Sequence, residues 1–129
     1  MIVLDTCALL LWLCDQGKLS VAAREAVERG MEVGEIAISS ISVLDVGKFI
    51  EDGRLALSVS TRSWMLTLAT IEGMRVIPVD FSIAVRAANI SVPLTSHQKV
   101  IVATTIALGG ALITPDAYLR THTYVDSIW

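Results

Sequence analysis

The chain reads as an α/β protein of three layers, in which helices cover both faces of a parallel sheet of four to five strands. Three observations predict this. Short apolar runs of strand character alternate with helical patterns along the whole length, the connections between them are brief, and Gly, Asp, Asn and Pro mark the joints. A strand, helix, strand order with such connections implies parallel strands joined by crossovers. With 129 residues and no internal repeat, linker or low-complexity stretch, residues 1–129 form a single domain.

The elements follow in order. Ile2, Val3 and Leu4 make a short strand that runs straight into a helix, with Asp5 and Thr6 at the junction and Thr6 chemically suited to cap it. Residues 7–14 are apolar all round and predict a buried helix containing Trp12, broken by Asp15, Gln16 and Gly17. Ser20 has N-cap chemistry for a helix over 21–31, with Val21, Ala22, Ala26 and Val27 on its apolar face and Arg24, Glu25, Glu28 and Arg29 on its wet one. Residues 35–39 are the second strand, after which Ser40 or Ser42 can cap a helix over 43–51 that stops at Asp52-Gly53. Ser60 or Thr61 starts a helix over 62–71 carrying Trp64, Leu66 and Leu68, closed by Gly73. Residues 74–79 are the third strand, and Asp80 or Ser82 caps a helix over 83–89. A loop with Pro93 and Thr95-Ser96 leads to a long helix over 97–108, ended by Gly109-Gly110. Residues 111–114 form the fourth strand, which ends at Pro115-Asp116, and residues 124–129 form the fifth.

Hydrophobic residues make up 53% of the chain and charged ones 18%, with a mean hydropathy of +0.64. So large an apolar excess in a small domain predicts a homodimer joined through apolar helices. The longest unbroken apolar run, residues 7–14, is less than half of the roughly 20 residues a membrane span requires, and neither membrane association nor a secretory leader is expected. Cys7 and Cys14 lie two turns apart on one predicted helix, too far for a disulfide, and read as buried thiols in a reducing cytoplasm. A net charge of −3 and a pI of about 5.2 argue against a simple nucleic-acid binding module with a basic face. They leave open an enzyme that handles phosphates through a divalent cation.

Parallel strands deliver their carboxyl ends to one edge, where open α/β sheets bind ligands. Asp5 follows the first strand, Asp116 follows the fourth, and Asp45 lies in the first turns of the helix after the second. Each alone reads as a helix cap or a solvated turn residue. Together, three carboxylates at one edge would repel one another unless a divalent cation lay between them, and hard oxygen donors favour magnesium or manganese over zinc.

These residues resemble the motifs of a known family. Ile2-Val3-Leu4-Asp5-Thr6 resembles the opening strand of a PIN domain. The stretch from Ile38 through Asp45 to Lys48, followed by Asp52-Gly53-Arg54-Leu55, is similar to that family's second motif. Ile101-Val102-Ala103-Thr104-Thr105 and the run from Ala111 to Asp116 are similar to its third and fourth, and residues 124–129 to the tail of the VapC-like toxins of bacterial toxin-antitoxin systems. The resemblance covers essentially the whole chain. It implies a ribonuclease that uses Mg2+ or Mn2+ to activate water against a phosphodiester. Asp5 and Asp116 would be metal ligands, Asp45 would bind metal or position water, and Thr6 and Thr114 would support the site with hydroxyls. It also implies an RNA substrate, a homodimer and an antitoxin partner that covers the active-site groove.

Two departures stand out. Asp45 replaces the Glu usual in the second motif, and Gln98 stands where the third motif carries Asp. Gln98 can offer a carbonyl oxygen in support but no charge, which predicts weak metal binding that Gln98→Asp would strengthen. His97 should point about 100° away from Gln98 around the helix and reads as a surface or capping residue. Lys48, Arg54 and Lys99 could meet phosphates at the rim, and Trp64, Leu66 and Leu68 read as core or dimer contact rather than a base-stacking platform. Two other readings are open. One is a degenerate PIN domain without nuclease activity that serves as a binding or regulatory partner. The other is a receiver-type domain with Asp5 as phosphoacceptor, against which stand the missing acidic pair beside Asp5 and the missing lysine after a late strand.

Overall fold

Alternation along the strands decides which side chains enter which layer. In the computed structural model, which describes residues 1–53 and 61–129, the central strand β1 (Ile2–Leu4) pairs in parallel with β2 (Ile36–Ser39) and β4 (Ala111–Ile113). Leu4 lies in register with Ile38 and Ile113 and, with Ile36, enters one core. Helices α1 (Thr6–Cys14), α2 (Val21–Val33) and α4 (Thr61–Thr70) complete it with Leu9, Val27 and Leu68. Val3, one residue earlier, lies in register with Ala37 and Leu112 and enters the opposite core. Ile101 and Val102 of α6 (Ser96–Ala107) and Leu119 of α7 (Ala117–His122) complete that one. Helices on both faces of an all-parallel sheet are the predicted three-layer architecture.

With β3 (Met74–Ile77) and β5 (Ser127–Ile128), the sheet has five strands in the order β3-β2-β1-β4-β5. The remaining helices are α3 (Ser40–Glu51) and α5 (Phe81–Ala88), and a short 3-10 turn spans Gln16–Lys18. The chain travels from β1 outward through β2 to β3, then returns to β1's other side for β4. The strand order therefore reverses between β1 and β4, and such a switch point opens a crevice beyond the carboxyl ends of those two strands.

Several sequence expectations are corrected. Asp5, not Thr6, caps α1, and Ser39, rather than Ser40 or Ser42, caps α3, which begins one turn earlier than the apolar pattern indicates. The buried face of α2 is Ala23, Ala26, Val27 and Gly30, while Val21 and Ala22 are exposed. Helix α1 is not buried all round. Only Thr6, Ala8 and Leu9 are, the residues from Leu10 to Leu13 including Trp12 are partly covered, and both cysteines are exposed. A helix packed on one side of a sheet can hide only one stripe, whatever the composition of the rest. Trp64 and Leu68 are core residues, whereas Leu66 faces outward. Helix α7 has no counterpart among the predicted elements, because six residues are too few to display a period. Arg54, Leu55 and Ser60 lie outside the described residues. Among the described residues no helix is long and apolar enough to cross a membrane.

The pairing of β1 with β4 depends on Gly110. A Cβ there would sit 2.4 Å from the carbonyl oxygen of Met1, the atom that accepts the Ala111 N–H at 3.2 Å. Gly110→Ala should push the two strands apart and destabilise the fold by about 1–3 kcal/mol. Denaturant unfolding would register this as a lower midpoint at unchanged slope.

Candidate active site

The crevice between β1 and β4 is walled by the residues that end those strands. Asp5 leaves β1 in extended conformation, and its Oδ1 accepts the Ala8 N–H at 2.7 Å, closing the amino end of α1. Asp116 repeats the arrangement after β4, its Oδ1 accepting the Leu119 N–H at 3.0 Å to open α7. Thr114, fully buried at the end of β4, joins the two: its hydroxyl oxygen accepts the Asp116 N–H at 3.1 Å and its proton goes to the Asp5 carboxylate.

Asp5 is only 5% exposed. Burial pushes its carboxyl up from the ordinary 3.8 to about 6. The Ala8 N–H, the Thr114 hydroxyl and the Cys7 N–H pull the other way, and the nearby charge of Asp116 adds to the rise. Two carboxylates share this crevice, one of them held almost out of water.

Asp45 reaches the same cleft from α3. Its Oδ2 accepts the hydroxyl of buried Thr6 at 2.8 Å, and its Oδ1 meets Nδ1 of His97 from α6. The Thr6 proton serves the carboxylate, which leaves the Thr6 oxygen to accept from Ser42, whose Oγ lies 3.1 Å away. The cleft so formed has a volume of about 440 Å³, and Asp5, Asp45, Asp116, Lys48, His97 and Gln98 are among its lining residues. A roomier groove of about 660 Å³ lies between Phe81, Val85, Ile90 and Tyr124, but its lining contains no carboxylate, thiol or imidazole, so the smaller one is the candidate site.

The three aspartates and Thr6, Thr114 and Gln98 thus all belong to one edge, as their placement in the sequence indicates, but they are not equivalent. Asp5 and Asp116 interact, while Asp45 is engaged with Thr6 and His97. Among the described residues no three His, Cys, Asp or Glu side chains converge closely enough to cage a metal ion. Gln98 does not offer its carbonyl oxygen to the cleft: Oε1 accepts the Thr95 N–H at 3.1 Å, and the Gln98 N–H donates to Thr95 Oγ1 at 3.2 Å. This capping box is legible in the sequence as Thr95-x-x-Gln98. His97, read there as a surface or capping residue, is the α6 side chain that touches an aspartate. Lys48 lines the cleft, whereas Lys99 is not among the residues lining it.

No family model matches the chain. Over 123 residues it is 31% identical to Ribonuclease VapC22 of Mycobacterium tuberculosis, covering 94% of this chain and 91% of that protein. Among solved structures, the fold is similar to VapBC2 from Rickettsia felis bound to a DNA fragment from their promoter, with a TM-score of 0.70 at 13% identity over 98% of this chain and 97% of that one. It is also similar to FitAcB from Neisseria gonorrhoeae, with a TM-score of 0.68 at 17% identity over 98% and 96% of the two chains. A toxin-antitoxin complex from Klebsiella pneumoniae gives 0.65 at 17% identity over 96% and 93%.

The raised carboxyl of Asp5 has a consequence for stability. Because its folded value of about 6 lies above the ordinary 3.8, the stability it contributes is fully present below pH 3.8 and is lost as pH rises through 6. Asn also caps helices well, so Asp5→Asn in chelator-treated protein should be more stable than the unmodified chain at pH 7.5, by on the order of 3 kcal/mol. The gap should close near pH 4. Denaturant unfolding of both proteins at the two pH values checks this.

Proposed function

The chain belongs to the VapC family of PIN-domain proteins, and on that premise we propose that it is a ribonuclease that cleaves RNA phosphodiesters with the help of Mg2+ or Mn2+, as the toxin of a toxin-antitoxin pair. The observation that carries this reading is the buried Asp5 carboxylate set beside Asp116 in the crevice where the strand order reverses. Holding two carboxylates together away from water is unfavourable, and a dication between them would offset the cost. The donor set fits such an ion. Magnesium retains several waters and takes one or two carboxylates rather than a full protein cage, which suits a site with two close aspartates and the third turned aside.

Asp5 and Asp116 would hold the cation. When bound, it would lower the pKa of a coordinated water and stabilise charge on the phosphate oxygens. The chain's own groups do the rest. Thr114 fixes the relative position of the two aspartates through one hydroxyl, and the caps on α1 and α7 each engage Oδ1 of their aspartate. Asp45 and Lys48 both line the cleft, where the Asp45 carboxylate would align water or phosphate and the Lys48 ammonium would meet the backbone of the RNA. The similar solved structures include toxin-antitoxin complexes, which supports an antitoxin as the partner covering this cleft. The exposed apolar side chains Phe81 and Val85 of α5 support a homodimer. A cytoplasmic location follows from the same reading.

Two measurements test this. Single-stranded RNA should be cleaved by the purified protein with Mg2+ or Mn2+ and not with excess chelator. Asp5→Asn and Asp116→Asn should each reduce the rate on the order of a hundredfold or more, the loss of several kcal/mol of charge stabilisation. No cleavage with either metal would sink the ribonuclease reading. In light scattering at micromolar concentration the mass should be twice that of the chain, and a purely monomeric mass would refute the homodimer.

A further inference from the structure

Gln98 is folded back into the capping box of α6, and the side chain of that helix that reaches an aspartate of the cleft is His97. Its Nδ1 meets Asp45 Oδ1 from one side, while the Thr6 hydroxyl donates to Asp45 Oδ2 at 2.8 Å from the other. Both oxygens of a single carboxylate are therefore held, by side chains from two different helices that flank α3. An ionised carboxylate only accepts hydrogen bonds, so the hydrogen of the His97 contact belongs to Nδ1, which fixes the tautomer of the ring. The pair is not a loose surface contact. The side chain of Asp45 is 17% exposed and that of His97 is 40% exposed, and both line the cleft.

We propose that His97 is a positioning residue for cleavage: with Thr6 it clamps the Asp45 carboxylate in one orientation in the cleft. An Asp side chain has two torsions that must be fixed before its oxygens can direct a water or a phosphate, and a misplacement of about 1 Å at such a group can cost roughly a hundredfold in rate. The clamp does this without placing a further carboxylate beside the Asp5 and Asp116 pair. Helix α6 thus contributes to the site through an imidazole at 97, while the residue at 98 serves the helix. This inference rests on the ribonuclease reading and adds to it a residue that acts through Asp45.

The test uses the full chain, a mixed-sequence single-stranded RNA and Mn2+. His97→Ala should lower kcat roughly 10–100-fold, the usual loss when a residue that orients a ligand is removed, with little change in KM. His97→Asn, whose amide nitrogen lies near the place of Nδ1 and can donate in its stead, should recover most of the rate. The diagnostic readout is non-additivity: once Asp45→Ala is present, adding His97→Ala should cost nothing further. Losses that multiply, a rise in KM at unchanged kcat, or equal damage from His97→Ala and His97→Asn would overturn the clamp. If the unmodified protein cleaves no RNA with either metal, the ribonuclease reading fails by itself. The clamp is then decided by denaturant unfolding of the same single and double variants without metal. There the effects should depart from additivity by a factor of roughly three or more in the unfolding constant, and strict additivity would overturn it.

Discussion

A carboxylate held almost out of water beside a second carboxylate is the constraint around which this molecule is arranged. Isolated charges are expelled from interiors or neutralised there, and the Asp5 carboxyl shows the pressure in its displacement to about 6. What keeps it in place is local and redundant. The first turn of α1 supplies peptide N–H groups, Thr114 supplies a hydroxyl from the neighbouring strand, and the amino end of a helix is a favourable place for negative charge. Asp116 receives the same treatment from α7. The sheet brings the two together because β1 and β4 are neighbours in register, Leu4 beside Ile113, so that the residues just beyond them emerge side by side.

The two descriptions of each aspartate, as helix cap and as site residue, turn out to be the same description. A cap engages one carboxylate oxygen and fixes the plane of the group, which sets the direction in which the carboxylate is presented. The structural role therefore prepares the chemical one. Asp45 differs in kind: it sits within α3 rather than ahead of it, has no helix amino end to hold it, and depends on Thr6 and His97 instead.

How much of this was legible in the sequence depended on the distance over which each feature is decided. The three layers, the strand sequence and the edge shared by Asp5, Asp45 and Asp116 follow from apolar runs and short connections, which are local. Cap identity is nearly local, yet Asp5 and Thr6 are both competent, and only the backbone leaving β1 settles that the first takes the role. The exposure of Cys7 and Cys14 was not legible, because a composition that is apolar all round does not say which stripe meets the sheet. The choice between positions 97 and 98 was hidden for a related reason. Neighbouring residues on a helix point about 100° apart, and which one enters the cleft depends on a side-chain to backbone bond at Thr95 and on where α3 lies across the chain.

The neighbourhood of β1 and β4 also makes the site depend on nearly the whole chain. Asp5 and Asp116 stand more than a hundred residues apart in the chain, and the pairing that unites them is among the longest-range in the fold. Contacts of such sequence separation carry a large loop-closure cost. A nascent chain that has already laid β1 beside β2 carries one half of the crevice and no second wall, and the same is true of any fragment that stops short of β4. The cleft has no partial form: both of its walls exist only where β4 lies beside β1.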